Sequence, residues 1–318
     1  MKPSSPLLPR TAALLLAAAL GVAASMVSAS AADVIAPLTS LAPAGAPVQT
    51  GDTATDGFNW INYRRAQAGL PTLARNGALD TAALAHANYQ KDIRQMAHVE
   101  DPANPGFSGA QLEDRMAAAG YALSRAGYVY GEAISATVEP SGVNAAEDLI
   151  TAIYHRFVLF EPVLKESGAG AASTAEGYTY FTNDLAARNG YGPGIGKGKL
   201  AVYPVASQAA VPVIFFNHRE SPDPLPEQAE SGYPVSVHAD IDSTVTVSAF
   251  TLRQRGSDTD LPVHLMAHDT DANTPPSAAA IIPRVVLAAD TVYEASFSGT
   301  VNGRPVTQNW SFTTQSAL

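Results

Sequence analysis

Apolar residues recur every three to four positions through much of the first half of the chain and every second position through much of its last third. The first spacing is that of helices with one buried face, the second that of half-buried strands. Residues 58–68 place Phe58, Ile61 and Ala66 on the inner side of a helix, which Gly69 and Pro71 close. A second helix opens at Asn76 or Asp80 and runs to about Met96. At ~100° per residue it puts Leu79, Ala82, Ala83, His86, Gln90 and Ile93 on one face. His86 on that face is expected to be a packed, hydrogen-bonded core histidine. A short helix over 112–119 ends at Gly120. Tyr128-Val129-Tyr130 is β-prone, and Gly131 is expected to break it with Glu132 at the break. Asn144 can cap a helix reaching about Phe157, whose apolar face is Leu149, Ile150 and Ile153. His155 falls opposite that face, so it is expected either in solvent or in a polar cavity. Pro162 ends the segment, and residues 178–182 then alternate as a strand.

The glycine-rich stretch 189–199 has no phosphate-loop spacing and is expected to be a flexible boundary. Beyond it, short β-prone runs recur at 211–216, 235–237, 245–252, 263–266, 285–287, 291–297 and 310–312, parted by Pro, Gly, Asp and Asn. That rhythm predicts a small β-sandwich. Val301-Asn302-Gly303-Arg304 carries the signal of a tight hairpin. His268-Asp269-Thr270-Asp271 lacks the glycine and terminal glutamate of a calcium loop and reads as a polar turn. His218-Arg219-Glu220 reads as a solvated strand end.

With 318 residues, 46% hydrophobic and 15% charged, the chain is globular and long enough for two domains. Lys2 and Arg10, the apolar run 11–24 and Ala29-Ser30-Ala31 form a secretory signal pattern over 1–31. Residues 32–50, rich in Ala, Pro and Thr, read as a linker. Domains are therefore expected at 51–200 and 201–318, in a secreted or periplasmic protein with no membrane span once the signal is cleaved. The net charge of −10 becomes −12 without the signal, with 17 basic against 29 acidic residues, which disfavours nucleic acid and anionic lipid as partners. The absence of cysteine excludes disulfides and a thiol nucleophile, so stability must come from packing.

The candidate chemistry lies between His98 and Glu166. His98 stands at a helix-to-loop junction, where a histidine is either a solvated group or a site residue. Glu132, His155 and Glu166 are the other polar residues that can converge with it. The ordered set of Asn62-Tyr63-Arg64-Arg65, His98, Leu112-Glu113-Asp114-Arg115, Gly131-Glu132, His155-Arg156 and the aromatic run to Asp184 resembles the CAP superfamily of cysteine-rich secretory, antigen 5 and pathogenesis-related proteins, in its disulfide-free bacterial branch. The likeness covers about 58–187. It departs from the family pattern at Ala133, where asparagine is usual, and at Ala152-Ile153-Tyr154, where Ser-Pro-Gly is usual. Residues from 201 onward resemble bacterial Ig-like modules.

The resemblance implies an α+β fold, an αβα sandwich followed by an all-β Ig-like sandwich. It also implies one cleft holding His98, Glu132, His155 and Glu166. His98, His155 and Glu132 would be the ligands of a divalent metal such as zinc, and Glu132 or Glu166 the base if there is catalysis. The chain has no Gly-x-Ser-x-Gly elbow and no His-Glu-x-x-His. The favoured expectation is therefore non-enzymatic binding of a small apolar or lipid-like ligand. A metal-dependent peptide or ester hydrolase is the alternative. A surface protein binding cell envelope or a protein partner through 201–318 is a third.

Overall fold

The computed structural model describes residues 18–19, 45–124 and 127–317. The signal pattern over 1–31, apart from its residues 18–19, and the linker as far as residue 44 lie outside the described residues. The first layer system is a five-stranded mixed sheet. Its strands are β1 (Ala18–Ala19), β2 (Ala74–Arg75), β3 (Val129–Thr137), β4 (Glu166–Ser173) and β5 (Thr179–Ala187), in the order β1-β3-β5-β4-β2. Helices α1 (Thr53–Gln67), α4 (Gly142–Thr151) and α5 (Ile153–Leu159) cover one face, and α2 (Gly77–Ile93) and α3 (Leu112–Ala118) the other.

Alternation along the strands assigns the faces. Val129 and Ala133 of β3 and Phe181 and Leu185 of β5 join the core under α1 and α4. Tyr130 and Ala186, one residue out of step, pack with Leu79, Ala82, Leu112 and Met116 of α2 and α3. The glycines of β4 let α2 lie directly on the sheet. A Cβ at Gly168 would stand 2.1 Å from the Asp80 nitrogen, and one at Gly170 2.2 Å from the Leu84 nitrogen. Asn76 caps α2 by accepting from Ala78 and Leu79, and Arg94 ends it in the left-handed region at φ 55°.

The second layer system is a sandwich of two antiparallel sheets. One has the order β6 (Ala201–Tyr203), β7 (Val235–His238), β10 (Ala278–Pro283), β9 (Val263–Ala267). The other runs β12 (Arg304–Thr313), β11 (Val292–Val301), β8 (Val245–Gln254). Tyr293, Ala295, Phe297 and Val301 are buried in phase along β11, with Gly299 between the last two where the pairing with β8 shifts register. The turn predicted at Asn302-Gly303 joins β11 to β12, with φ 52° and 74°.

Several expectations are corrected. Ala66 is exposed, and α1 instead buries Arg64 and Arg65. Residues 211–216 and 285–287 form no regular strand, while Ala278–Pro283, three alanines followed by Ile281, Ile282 and Pro283, is fully buried as β10. Strand β3 runs straight through Gly131, which is small because Val158 lies 2.7 Å from where its Cβ would be. The helix expected to reach Phe157 is two helices. Ser141, not Asn144, caps the first, and Ala152 separates them with extended dihedrals. The stretch 189–199 is tied down by Asp240, which accepts from the Ile195 and Gly196 nitrogens at 2.7 and 3.0 Å.

The two systems meet across α5. Ile153, Tyr154 and Phe157 pack with Phe215, Leu225, Met266 and Ile282 of the sandwich. Beside them Glu161, 9% exposed, accepts from the Val163 and Ile241 nitrogens at 3.2 and 3.1 Å. Burial pushes this carboxyl from 4.5 up to about 8, against the opposing pull of those donors and of Arg65. A carboxyl raised in the folded state favours folding fully below its unfolded value, and that contribution is lost as pH rises through the folded one. Glu161→Gln, which keeps the acceptor oxygen without the titration, is therefore expected to gain melting temperature over the parent as pH rises from 4.5 to about 8. Parallel pH–Tm curves for the two proteins would contradict this.

Candidate functional site

Beyond α2 the chain turns back over the sheet, and a single buried acid shapes this loop. Glu100, 1% exposed, accepts from the Ser108 and Gly109 nitrogens at 2.6 and 3.3 Å and from the Ser108 hydroxyl at 3.0 Å. His86 Nδ1 lies 2.8 Å from it, and His86 Nε2 lies 2.8 Å from the Ala97 carbonyl. Both ring nitrogens thus face oxygen atoms, which fix the plane of the ring from both sides. His86 is the core histidine expected, and it also fixes the loop that carries His98.

His98 Nδ1 meets Glu132 Oε1 at 2.7 Å. From α3, Arg115 donates to Glu132 Oε2 at 2.6 Å and to the His98 carbonyl at 3.0 Å, and is wholly buried. His86 Nε2 lies 3.9 Å from Glu132 Oε2. Burial alone would raise the Glu132 carboxyl, but His86, Arg115 and His98 together hold it well below the usual carboxylate range. His98 is this cluster's opening to solvent, with its side chain 14% exposed against 3% for Glu132.

Strand register adds a second carboxyl. Asp184 on β5 is the cross-strand neighbour of Glu132, and Gly168 lies on its other side. Asp184 is fully buried, and neither of its oxygens receives a hydrogen bond from an N–H or O–H donor placed among the described residues. Burial and the adjacent Glu132 charge push its carboxyl well above the usual range. The two neighbouring acids are therefore pushed in opposite directions, Glu132 toward the ionised form and Asp184 toward the neutral one, as expected of two acids in one dry site.

Of the four residues expected in one cleft, the structure brings His98 and Glu132 together. Glu166 shares their face of the sheet but makes other contacts. It accepts from the Tyr121 hydroxyl at 2.6 Å and from Asn76 at 2.9 Å, with Arg188 at 3.4 Å. His155 departs furthest from its expected place. Gly131 faces Val158 of α5, so Glu132, the next residue, faces away from that helix. His155 on α5 is thus on the far side of the sheet. It is completely buried, with Nδ1 3.1 Å from Glu220. The face read as solvent or cavity is covered by the sandwich. Glu220, read as part of a solvated strand end, is 2% exposed. Asp184 and Glu100 were not singled out from sequence. Asp184 carried one usable signal, an acid in phase with Tyr180, Thr182 and Ala186 along a strand.

The expected metal set does not fit these residues. His155 is separated from His98 by the sheet, and a guanidinium occupies the second oxygen of Glu132. Among the described residues, no three of His, Asp and Glu come together in a metal-ligating group. In a zinc titration followed by calorimetry, His155→Ala is therefore expected to leave the isotherm unchanged, whatever His98 binds. A one-to-one event lost in both His98→Ala and His155→Ala would reverse that assignment.

A three-layer αβα domain with a buried His–Glu–Arg cluster opening at one imidazole defines the class. Residues 58–185 match the model of the cysteine-rich secretory protein family, CAP. Residues 58–185 thus carry a CAP domain, and they do so without a cysteine. Among solved structures it is similar to an extracellular protein containing an SCP domain from Bacillus anthracis str. Ames, at 20% identity and a TM-score of 0.36 over 44% of each chain. The match thus spans less than half of that relative's length. An outer surface protein from Borrelia burgdorferi is 14% identical with a TM-score of 0.37, over 45% of this chain and 97% of that one. The venom allergen-like protein 4 of Schistosoma mansoni is 14% identical with a TM-score of 0.27, over 46% of this chain and 90% of that one. No curated protein sequence matches the chain. Among the described residues, no helix is long and apolar enough to cross a membrane.

Proposed function

We propose that the chain is an exported binding protein whose CAP cleft takes a small apolar or lipid-like ligand at the mouth marked by His98, without turnover. The observation that carries this reading is the saturation of Glu132. His98 holds one of its oxygens and Arg115 the other, so the carboxylate is committed to protein partners rather than to water or substrate. The loop around His98 also exposes two apolar side chains, Val99 at 52% and Phe107 at 42%. Exposed apolar side chains on the loop that carries a half-buried imidazole suit a ligand that is mostly hydrocarbon with one polar end. Export rests on the signal pattern of residues 1–31, and a mature amino terminus near residue 32 would accord with it. The test is a panel of fatty acids, phospholipids and sterols titrated into the full chain. Saturable binding weakened in Val99→Asp and Phe107→Asp supports the reading, and a panel without saturable binding ends it.

One feature favours hydrolysis as a second reading. An imidazole oriented by a carboxylate at 2.7 Å is the arrangement of a general base. That reading requires ester or peptide turnover lost in both His98→Ala and Glu132→Gln while the folded state persists. A third reading, binding of cell envelope or a protein, draws on a groove of about 550 Å³ over the outer face of the three-stranded sheet. Arg253, Arg255, Glu294 and Asn309 line it. It predicts binding that is lost in Arg253→Ala and Arg255→Ala and indifferent to His98→Ala.

A further inference from the structure

We propose that the sandwich of residues 201–318 acts as an intramolecular clamp on α5, so that it and the CAP domain fold and unfold as one cooperative unit. The seven residues of α5 make under two turns, far below the length at which a helix is stable in water. Its preceding residue, Ala152, has no side chain that can accept from the first turn. The acceptor comes from the sandwich side. The Glu220 carboxylate receives the backbone N–H groups of Ile153, Tyr154 and His155 at 2.9, 2.7 and 3.3 Å. A buried carboxylate there satisfies three donors that would otherwise be orphaned and faces the positive end of the helix.

Two further contacts make the dependence mutual. Arg156 of α5 is completely buried and donates to the Pro234 carbonyl at 2.7 Å and to the Ser236 hydroxyl at 3.2 Å. Its guanidinium lies 4.9 and 5.0 Å from the ring centres of Tyr203 and Tyr233. The Tyr154 hydroxyl donates to Asp271 at 3.0 Å. Deprived of the sandwich, α5 would expose an apolar face and a stranded guanidinium. Deprived of α5, the sandwich would expose Phe215, Leu225, Met266 and Ile282. The junction also reaches the sheet. Ile241 and Pro275 of the sandwich line a small cavity together with Val129, Gly131 and Val158, beside the strand that carries Glu132. In a chain without disulfides, this interface ties the two halves together by packing and hydrogen bonds.

The two tryptophans allow a direct test on the full chain, since Trp60 lies in α1 and Trp310 in β12. Trp60→Phe and Trp310→Phe each leave one fluorescent reporter, one in either half. Denaturant unfolding is expected to give coincident midpoints for the two reporters. Glu220→Ala is expected to shift both to lower denaturant by the same amount. Separate midpoints, or a shift confined to the Trp60 reporter, would overturn the proposal. Hydrogen exchange read by mass spectrometry on the unsubstituted chain gives a second measurement that needs no variant to fold. Peptides from α1, α5 and β12 are expected to lose protection together as denaturant is raised. Loss of protection in one half while the other stays protected would overturn the proposal equally.

Discussion

Glu132→Ala is expected to destabilise the protein by about 3–5 kcal/mol, the usual cost of stranding one partner of a buried ion pair. The group stranded is Arg115, wholly buried and bonded to Glu132 at 2.6 Å, with Glu100 no nearer than 4.0 Å. His98→Ala removes the other partner of Glu132 but strands no fixed charge, so its cost should be clearly smaller. Urea unfolding of both variants at neutral pH makes the comparison, and equal losses would mean that the imidazole contact matters as much as the guanidinium. Asp184 sharpens the expectation. Because burial and Glu132 push its carboxyl toward the neutral form, Asp184→Asn alone should cost little. Once Glu132 is gone, however, its repulsion is lifted and only burial still opposes ionisation of Asp184 beside Arg115, so Asp184 can take over part of the lost role. The double variant Glu132→Ala with Asp184→Asn should therefore be less stable than the two single effects summed. Strict additivity would show that the two carboxyls are not coupled.

Arg156→Ala should cost at least about 4 kcal/mol, from buried acceptors left bare and the cavity that remains. The Ile150 and Pro234 carbonyls, at 2.6 and 2.7 Å, both lose their donor, and the Ser236 hydroxyl loses a partner at 3.2 Å. Arg156→Lys is the informative companion. It keeps the charge but cannot reach three acceptors from one plane or lie flat between Tyr203 and Tyr233. It is expected to lose most of what alanine loses, measured by the denaturant midpoint. A lysine variant within about 1 kcal/mol of the parent would mean that charge, not planar geometry, is what the site requires.

The CAP fold and its core were largely legible in local patterning. The spacing of Leu79, Ala82, Ala83 and His86 marked the inner face of α2, and Asn76 marked its start. Asn302-Gly303 marked the hairpin. Such signals are legible because they depend on neighbours within one or two turns. The residue order around His98 and Glu132 suggested that the two converge, and the fold places them in contact.

Three features were not legible, each for a physical reason. Ala278–Pro283 is a central strand without β-branched alternation at its start, because crowding on both sides, not intrinsic preference, selects small residues there. Asp184 became part of the site through register, since a shift of one residue between β3 and β5 would have sent it to the other face. His155 and Glu220 both left their expected places, buried against each other, because each sits on a surface that the other half of the chain covers. Periodicity assigns a residue to a side of its own helix or strand. Whether that side meets water, a sheet or another domain depends on contacts between residues some 65 positions apart, as His155 and Glu220 are, and such contacts leave no mark on either segment alone.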